Sequence, residues 1–200
     1  RRQRQMCIRD SLKVLDASIN IKNVIKEDEV NPHVWTSIEN YINQVKEISQ
    51  VLIQQNSENK QIYEENTEKY IKDLEKVEKQ YEEISQELNG QKAICLNEAL
   101  EYLAKDIKLE YISLHTDHDE NSMSAESIKN IINKMNTENI KIILIGKDDS
   151  IKNAEILANE TNAKIYKLDT VLTGATDKSA YIDAANRNLE VLKSVLGDEK

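Results

Sequence analysis

Asn89-Gly90-Gln91-Lys92-Ala93-Ile94-Cys95-Leu96 is the stretch where the chain changes its hydrophobic period. Upstream of it, Tyr63, Tyr70, Leu74, Val77, Tyr81, Ile84 and Leu88 fall near one face of a helix predicted over residues 60–88. At 1.5 Å of rise per residue such a helix is about 40 Å long. Gly90 supplies the turn that ends it. Downstream, residues 92–96, 110–114, 140–145 and 164–168 are short apolar runs. They alternate with helical patterns near 98–106, 125–136, 151–161 and 179–195. Strand–helix alternation predicts an α/β fold, a parallel sheet covered by helices. Ser124 and Ser150 stand where helix N-caps are needed. Ligands of open parallel sheets gather beyond the carboxyl ends of the strands, and Asn97, Glu98 and Asp169 all fall there. The chain has only four Gly, with Gly146 alone among the strand ends, so a glycine-rich phosphate loop is excluded.

Working back toward the start, Ile38, Tyr41, Ile42, Val45, Ile48 and Leu52 recur at three and four, predicting a second amphipathic helix that Asn56-Ser57-Glu58-Asn59 breaks. The long helix carries too few clean heptads for a coiled coil, because Glu and Lys dilute its stripe. Residues 12–25 read as short helical or irregular structure.

Composition narrows the function classes. Arg1, Arg2, Arg4 and Arg9 are four of the five Arg in the chain, so residues 1–11 read as a tail foreign to the protein. The alternative, a basic arm for nucleic acid or anionic lipid, lacks aromatic interleaving. The tail carries four Arg and one Asp, so the remaining chain holds a net −12 against −9 for the whole, which disfavours nucleic-acid binding. No apolar run approaches a membrane span, and neither an initiating Met nor an apolar leader is legible. Cys95 is the only Cys outside the tail, so no disulfide framework is expected, and its apolar neighbours predict a buried, inert thiol. Phe is absent; eight Tyr carry most of the aromatic content.

Asn31-Pro32-His33-Val34-Trp35 concentrates the only Pro, the only Trp and one of three His. Pro32 pushes Asn31 out of the helical region, so His33 is presented from a rigid segment. Thr36-Ser37-Ile38-Glu39 reads as a capping box that starts the next helix. A rigid imidazole beside a helix start is a candidate metal ligand, the alternative being a packed structural His.

Asn-Pro-His-Val-Trp followed by an amphipathic helix resembles the solute-binding proteins of zinc and manganese ABC importers. Further landmarks follow in order: Asn66-Thr67-Glu68-Lys69-Tyr70-Ile71-Lys72-Asp73-Leu74, Ala99-Leu100-Glu101-Tyr102-Leu103-Ala104, Ala158-Asn159-Glu160-Thr161-Asn162-Ala163-Lys164, Leu168-Asp169, and Tyr181 with Asn186-Arg187-Asn188-Leu189. The resemblance runs from about Leu12 to Leu196. It implies a two-lobed protein: residues 12–56 the remnant of an incomplete N-terminal lobe, 57–89 a backbone linker helix, and 90–200 a C-terminal α/β lobe. It implies one divalent transition metal, zinc or manganese, carried as the transported ligand and delivered to an ABC importer permease. The protein would be a monomer that binds no nucleic acid, outside the cytoplasm, periplasmic or anchored to the outer face of the membrane.

The resemblance also implies ligands. The Pro-His-x-Trp ligand maps onto His33, and the Asp that follows a later strand maps onto Asp169. Alignment on Tyr102-Leu103-Ala104 puts Asn97 at the position of the third, with Glu98 beside it; the carboxylate is the better ligand chemically. Each has a structural alternative: Asp169 as a turn or cap residue, Glu98 as a first-turn acid. The first ligand belongs to a region upstream of Leu12. One imidazole with carboxylates is a harder donor set than a His-rich one, which makes manganese or iron plausible although zinc leads in affinity. His115 and His118, in His115-Thr116-Asp117-His118-Asp119-Glu120, form either an accessory metal loop or a solvated strand-to-helix loop.

No nucleophile has a legible His partner, so an enzyme is not expected. The alternative function is a degenerate or truncated homologue acting as a non-transporting interaction protein. Cation binding by His33 and Asp169 separates the two. With an incomplete first lobe the chain is expected to be marginally stable, residues 90–200 folding acceptably.

Overall fold

The computed structural model describes residues 14–26, 30–114 and 124–197. The foreign-looking tail and the His115/His118 loop lie outside these residues. The elements run α1 (Ile38–Gln55), α2 (Lys60–Leu88), β1 (Lys92–Cys95), α3 (Glu101–Asp106), β2 (Glu110–Ser113), α4 (Ala125–Glu138), β3 (Ile142–Gly146), α5 (Lys152–Thr161), β4 (Lys164–Leu168) and α6 (Ala180–Gly197). Short 3₁₀ turns at Val34–Thr36 and Glu98–Leu100 precede α1 and α3.

The four strands form one sheet in the order β2-β1-β3-β4, every pair parallel. Alternate side chains feed two cores, as parallel strands buried on both faces require. Ala93, Cys95, Ile142, Leu144, Tyr166 and Leu168 face α2, α3 and α6; Ile94, Ile143 and Ile145 face Met135 of α4 and Ala154 and Leu157 of α5. The architecture is thus the predicted α/β sheet flanked by helices.

The long helix keeps its predicted bounds, and its stripe is buried along the second half, at Leu74, Val77, Tyr81, Ile84 and Leu88. Those residues share one core with Ile38 and Ile42 of α1, with the sheet, and with Leu189 and Leu192 of α6. Tyr81 also donates its hydroxyl to the Ala185 carbonyl of α6 (2.9 Å), anchoring the two helices together. Among the described residues no helix is long and apolar enough to cross a membrane.

Three local expectations are corrected. The cap of α1 is Ser37, whose hydroxyl accepts the Asn40 N–H (3.3 Å), and not Thr36, whose hydroxyl donates to the His33 carbonyl (3.0 Å). Ser150 caps nothing; Ile151 occupies the N-cap of α5 in helical geometry without a side-chain cap bond. The strand expected from residue 140 starts at Ile142, because α4 runs on to Glu138 and Asn139 turns left-handed (φ 53°) to end it. Ser124 caps α4 as expected, accepting the Ser127 N–H.

Candidate metal centre

His33 sits at the start of the Val34–Thr36 turn with a largely buried side chain. Its neighbour Asn31, itself buried, organises it. The Asn31 Nδ2 donates to the Glu98 carbonyl and to Glu101 Oε2, both at 2.9 Å. Two acceptors at Nδ2 fix the amide orientation and turn Oδ1 toward His33. That oxygen accepts the His33 backbone N–H (2.9 Å) and lies 3.0 Å from Nδ1. A neutral His33 therefore keeps its proton on Nδ1 and leaves the Nε2 lone pair for a metal, which is how an outer partner orients a ligating imidazole. Glu101 is buried and takes its second hydrogen bond from the Ser113 hydroxyl.

The segment is pinned from three sides. Tyr102 donates its hydroxyl to the Asn31 carbonyl (2.9 Å) and accepts the Ile25 N–H (3.0 Å). Trp35 packs edge-on against the His33 ring at 5.3 Å, and its indole N–H reaches the Thr170 carbonyl (3.2 Å). Tyr181 of α6 donates to the Trp35 carbonyl (2.7 Å) while stacking on Tyr41 at 3.6 Å. The Pro-His-x-Trp motif is thereby tied to the loop that carries Asp169.

Of the two candidates for the third ligand, Asn97 is committed at both ends. Its Oδ1 accepts the Ala99 N–H (2.8 Å), capping the Glu98–Leu100 turn, and its Nδ2 donates to Asp149 Oδ2 (2.8 Å). The same Asp149 oxygen accepts the Gly146 N–H at 2.7 Å. A Cβ at Gly146 would lie 2.6 Å from that carboxylate, so any larger residue there would push the Asp149 side chain aside. Glu98 brings Oε1 to 3.7 Å from His33 Nδ1 with its side chain 44% exposed.

Asp169 follows β4 and is buried, but its carboxylate already has cationic partners. Oδ2 receives both Lys147 Nζ and Arg187 Nη2 at 2.9 Å, and Oδ1 accepts the Val171 N–H at 2.9 Å. Asn188 brackets the backbone, accepting the Asp169 N–H and donating to its carbonyl. Burial alone would raise the Asp169 carboxyl, but the bonds from Lys147, Arg187 and the Val171 N–H outweigh it and hold it below its ordinary value. Val171 takes φ 56°, a strained conformation for a β-branched residue, right beside this carboxylate.

The structure thus brings His33 and Glu98 together and places Asn97 in a capping network and Asp169 in an ion-pair network. Among the described residues no three His, Cys, Asp or Glu side chains converge closely enough to hold a metal ion. Sequence reasoning missed the side-chain roles of Asn31 and Asn188, the latter quoted only as a landmark, and it missed Lys147 altogether. Arg187 carried a signal: it is the one Arg beyond the first eleven residues of a lysine-rich chain. Lys147 had a weaker one, a cation just past the strand that neighbours the Asp169 strand.

The family model described as "Zinc-uptake complex component A periplasmic" matches residues 4–195. The high-affinity zinc uptake system protein ZnuA of Bacillus subtilis (strain 168) is 31% identical over 172 residues, covering 84% of this chain and 54% of that protein. The manganese ABC transporter substrate-binding lipoprotein scaA of Streptococcus gordonii is 22% identical over 176 residues, covering 86% of this chain and 56% of that protein. The chain thus spans about half the length of these relatives. Among solved structures, the metal-dependent lipoprotein YcdH of Bacillus subtilis superposes with a TM-score of 0.75 at 28% identity, covering 90% of this chain and 69% of that one. The solute-binding protein FpvC of Pseudomonas aeruginosa, solved with Ni²⁺, shares the fold with a TM-score of 0.83 at 21% identity, covering 96% of this chain and 71% of that one. The chain belongs to the zinc-uptake complex component A family, among the metal ABC-importer solute-binding proteins that its Asn-Pro-His-Val-Trp motif resembles.

Proposed function

We propose that this chain captures a divalent transition metal, zinc or manganese, outside the cytoplasm and passes it to the permease of an ABC importer. The observation that carries the reading is the Asn31–His33 pair, which presets the imidazole with Nε2 open to a metal. Glu98 serves as the carboxylate ligand in preference to Asn97, because both ends of the Asn97 amide are spent on Ala99 and Asp149. Its half-exposed side chain turns from the Nδ1 side of the ring onto the ion. Asp169 is the further candidate carboxylate, and to reach an ion it would have to exchange the Lys147 and Arg187 partners that its Oδ2 now holds. Residues 57–89 act as the backbone helix against which the C-terminal lobe, residues 90–200, is mounted. An imidazole with carboxylate oxygens suits either metal, zinc through the nitrogen and manganese through the oxygens.

Calorimetric titration with zinc and with manganese tests this. One-to-one binding is expected, lost in His33→Ala, weakened in Glu98→Gln, and less affected in Asn97→Ala. Binding indifferent to His33 would leave the family fold without a working site and favour the interaction-protein reading.

A further inference from the structure

Glu101 is a buried acid with no place in the proposed ligand set. The residue is 1% exposed, and its carboxylate takes two hydrogen bonds, both from neutral groups. Asn31 Nδ2 donates to Oε2 (2.9 Å), and the Ser113 hydroxyl donates to Oε1. Among the described residues no cation pairs with it. A carboxylate taken out of water without a counter-charge is costly to keep.

Its neighbours give that charge a direction. The ionised Oε2 and the Glu98 carbonyl can only accept, so both hold the NH2 end of the Asn31 amide. The Asn31 Oδ1 is left facing the His33 ring, 3.0 Å from Nδ1. Tyr102, the next residue of α3, donates to the Asn31 carbonyl (2.9 Å), so the side chain and the backbone of Asn31 are both tied to the start of α3. Carboxylate, amide and imidazole thus form one hydrogen-bonded line. A charged acceptor at one end of an amide polarises it and strengthens the oxygen at the other end as an acceptor. The Glu98 carbonyl orients the Asn31 amide; Glu101 adds a charge to the orientation.

We propose that Glu101 is a positioning residue for His33. Acting through the Asn31 amide, its carboxylate keeps the imidazole proton on Nδ1 and sets a buried negative charge behind the ring, so that Nε2 holds a divalent cation more tightly. The cation gives Glu101 the counter-charge it lacks in the metal-free protein, an attraction that a poorly polarisable interior lets reach across the amide. This inference rests on the proposed metal-capture function and deepens it.

Glu101→Gln is the test. Gln keeps the shape and both hydrogen bonds, accepting from Asn31 and donating to the Ser113 hydroxyl, and removes only the charge. Zinc should bind about 10-fold more weakly, the lower end of the loss for a partner that orients a ligand. The thermal midpoint of the metal-free protein should hold or rise, since an amide costs less to bury than a carboxylate. In NMR spectra of the metal-free protein at pH 8, the unaltered chain should carry the His33 proton on Nδ1, and that proton resonance should move upfield in Glu101→Gln. Tyr81→Phe, which removes a buried hydrogen bond between α2 and α6, should lower the midpoint without moving the zinc affinity or the His33 resonance. Should Glu101→Gln bind zinc as tightly as the unaltered chain while His33→Ala abolishes binding, the positioning role is overturned and metal capture stands. A His33 proton found on Nε2 in the unaltered, metal-free protein overturns the role without any substitution. Failure of the unaltered chain to bind zinc overturns the metal-capture reading, and the role of Glu101 falls with it.

Discussion

Asn31 joins a buried carboxylate, a carbonyl and an imidazole through one amide. Replacing it with Ala strips Glu101 of one of its two hydrogen bonds inside the core and frees the His33 ring to rotate. Leaving a buried carboxylate half-satisfied costs about 1–3 kcal/mol, to be read from urea unfolding. The same change should weaken metal binding about 10- to 100-fold, the usual effect of losing a partner that orients a ligand. Cys95 supports a second prediction. Burial pushes its thiol up to about 12, so almost no thiolate forms at pH 8. In a Cys7→Ser background, where Cys95 is the only thiol, a thiol reagent should stay idle until denaturant is added. The inertness of Cys95 was legible in Ala93-Ile94-Cys95-Leu96, because an apolar run predicts burial directly. The role of Asn31 was not, since the sequence shows that Pro32 restricts its backbone but not which side chains meet its amide seventy residues away.

At the start of α1, capping chemistry sets the stability. Ser37→Ala removes the hydroxyl that accepts the Asn40 N–H and should cost about 1 kcal/mol in thermal unfolding, whereas Glu39→Ala should cost far less, since the capping box expected there does not form. Asp106, at the end of α3, faces this same helix start. Burial of its carboxylate, with Glu39 and Glu78 nearby, pushes it up to about 6 against the pull of the Ser37 hydroxyl and the Ile38 N–H, although the residue as a whole keeps an exposed edge. A carboxyl whose pKa is raised on folding binds its proton more tightly in the folded state. Its contribution is therefore present at pH below its unfolded value near 4 and is lost as pH rises through about 6. Asp106→Asn should flatten the stability profile between pH 4 and 6 while leaving pH 3 little changed. Element type and order were read correctly from period alone, but the caps slipped. Thr36 and Ser37 are chemically equivalent candidates, and only the Thr36 bond to the His33 carbonyl decides between them.

Across the whole molecule one core joins α1, α2, the sheet and α6. The stripe on α2 was legible because helical periodicity marks which face is apolar. What that face meets was not, because periodicity names no partner: the α2 stripe packs on the sheet and on α6. Leu74, fully buried at the junction of α2 with this core, should cost about 2–5 kcal/mol on change to Ala. In place of the expectation that residues 90–200 fold acceptably by themselves, this shared core predicts that residues 34–197 unfold in a single transition by circular dichroism and tyrosine fluorescence alike, and that residues 90–200 alone are much less stable than the whole. Sequence resemblance likewise named His33, Asn97 with Glu98 beside it, and Asp169 without showing that Lys147 and Arg187 already sit on the last of them. If His33 ligates a divalent metal among oxygen donors, X-ray absorption at the zinc edge of the one-to-one complex should show it. A shell of nitrogen and oxygen at about 2.0–2.2 Å is expected, with the outer scattering of one imidazole that is absent in His33→Ala. A sulfur shell near 2.3 Å, or an imidazole signal that survives in His33→Ala, would contradict it.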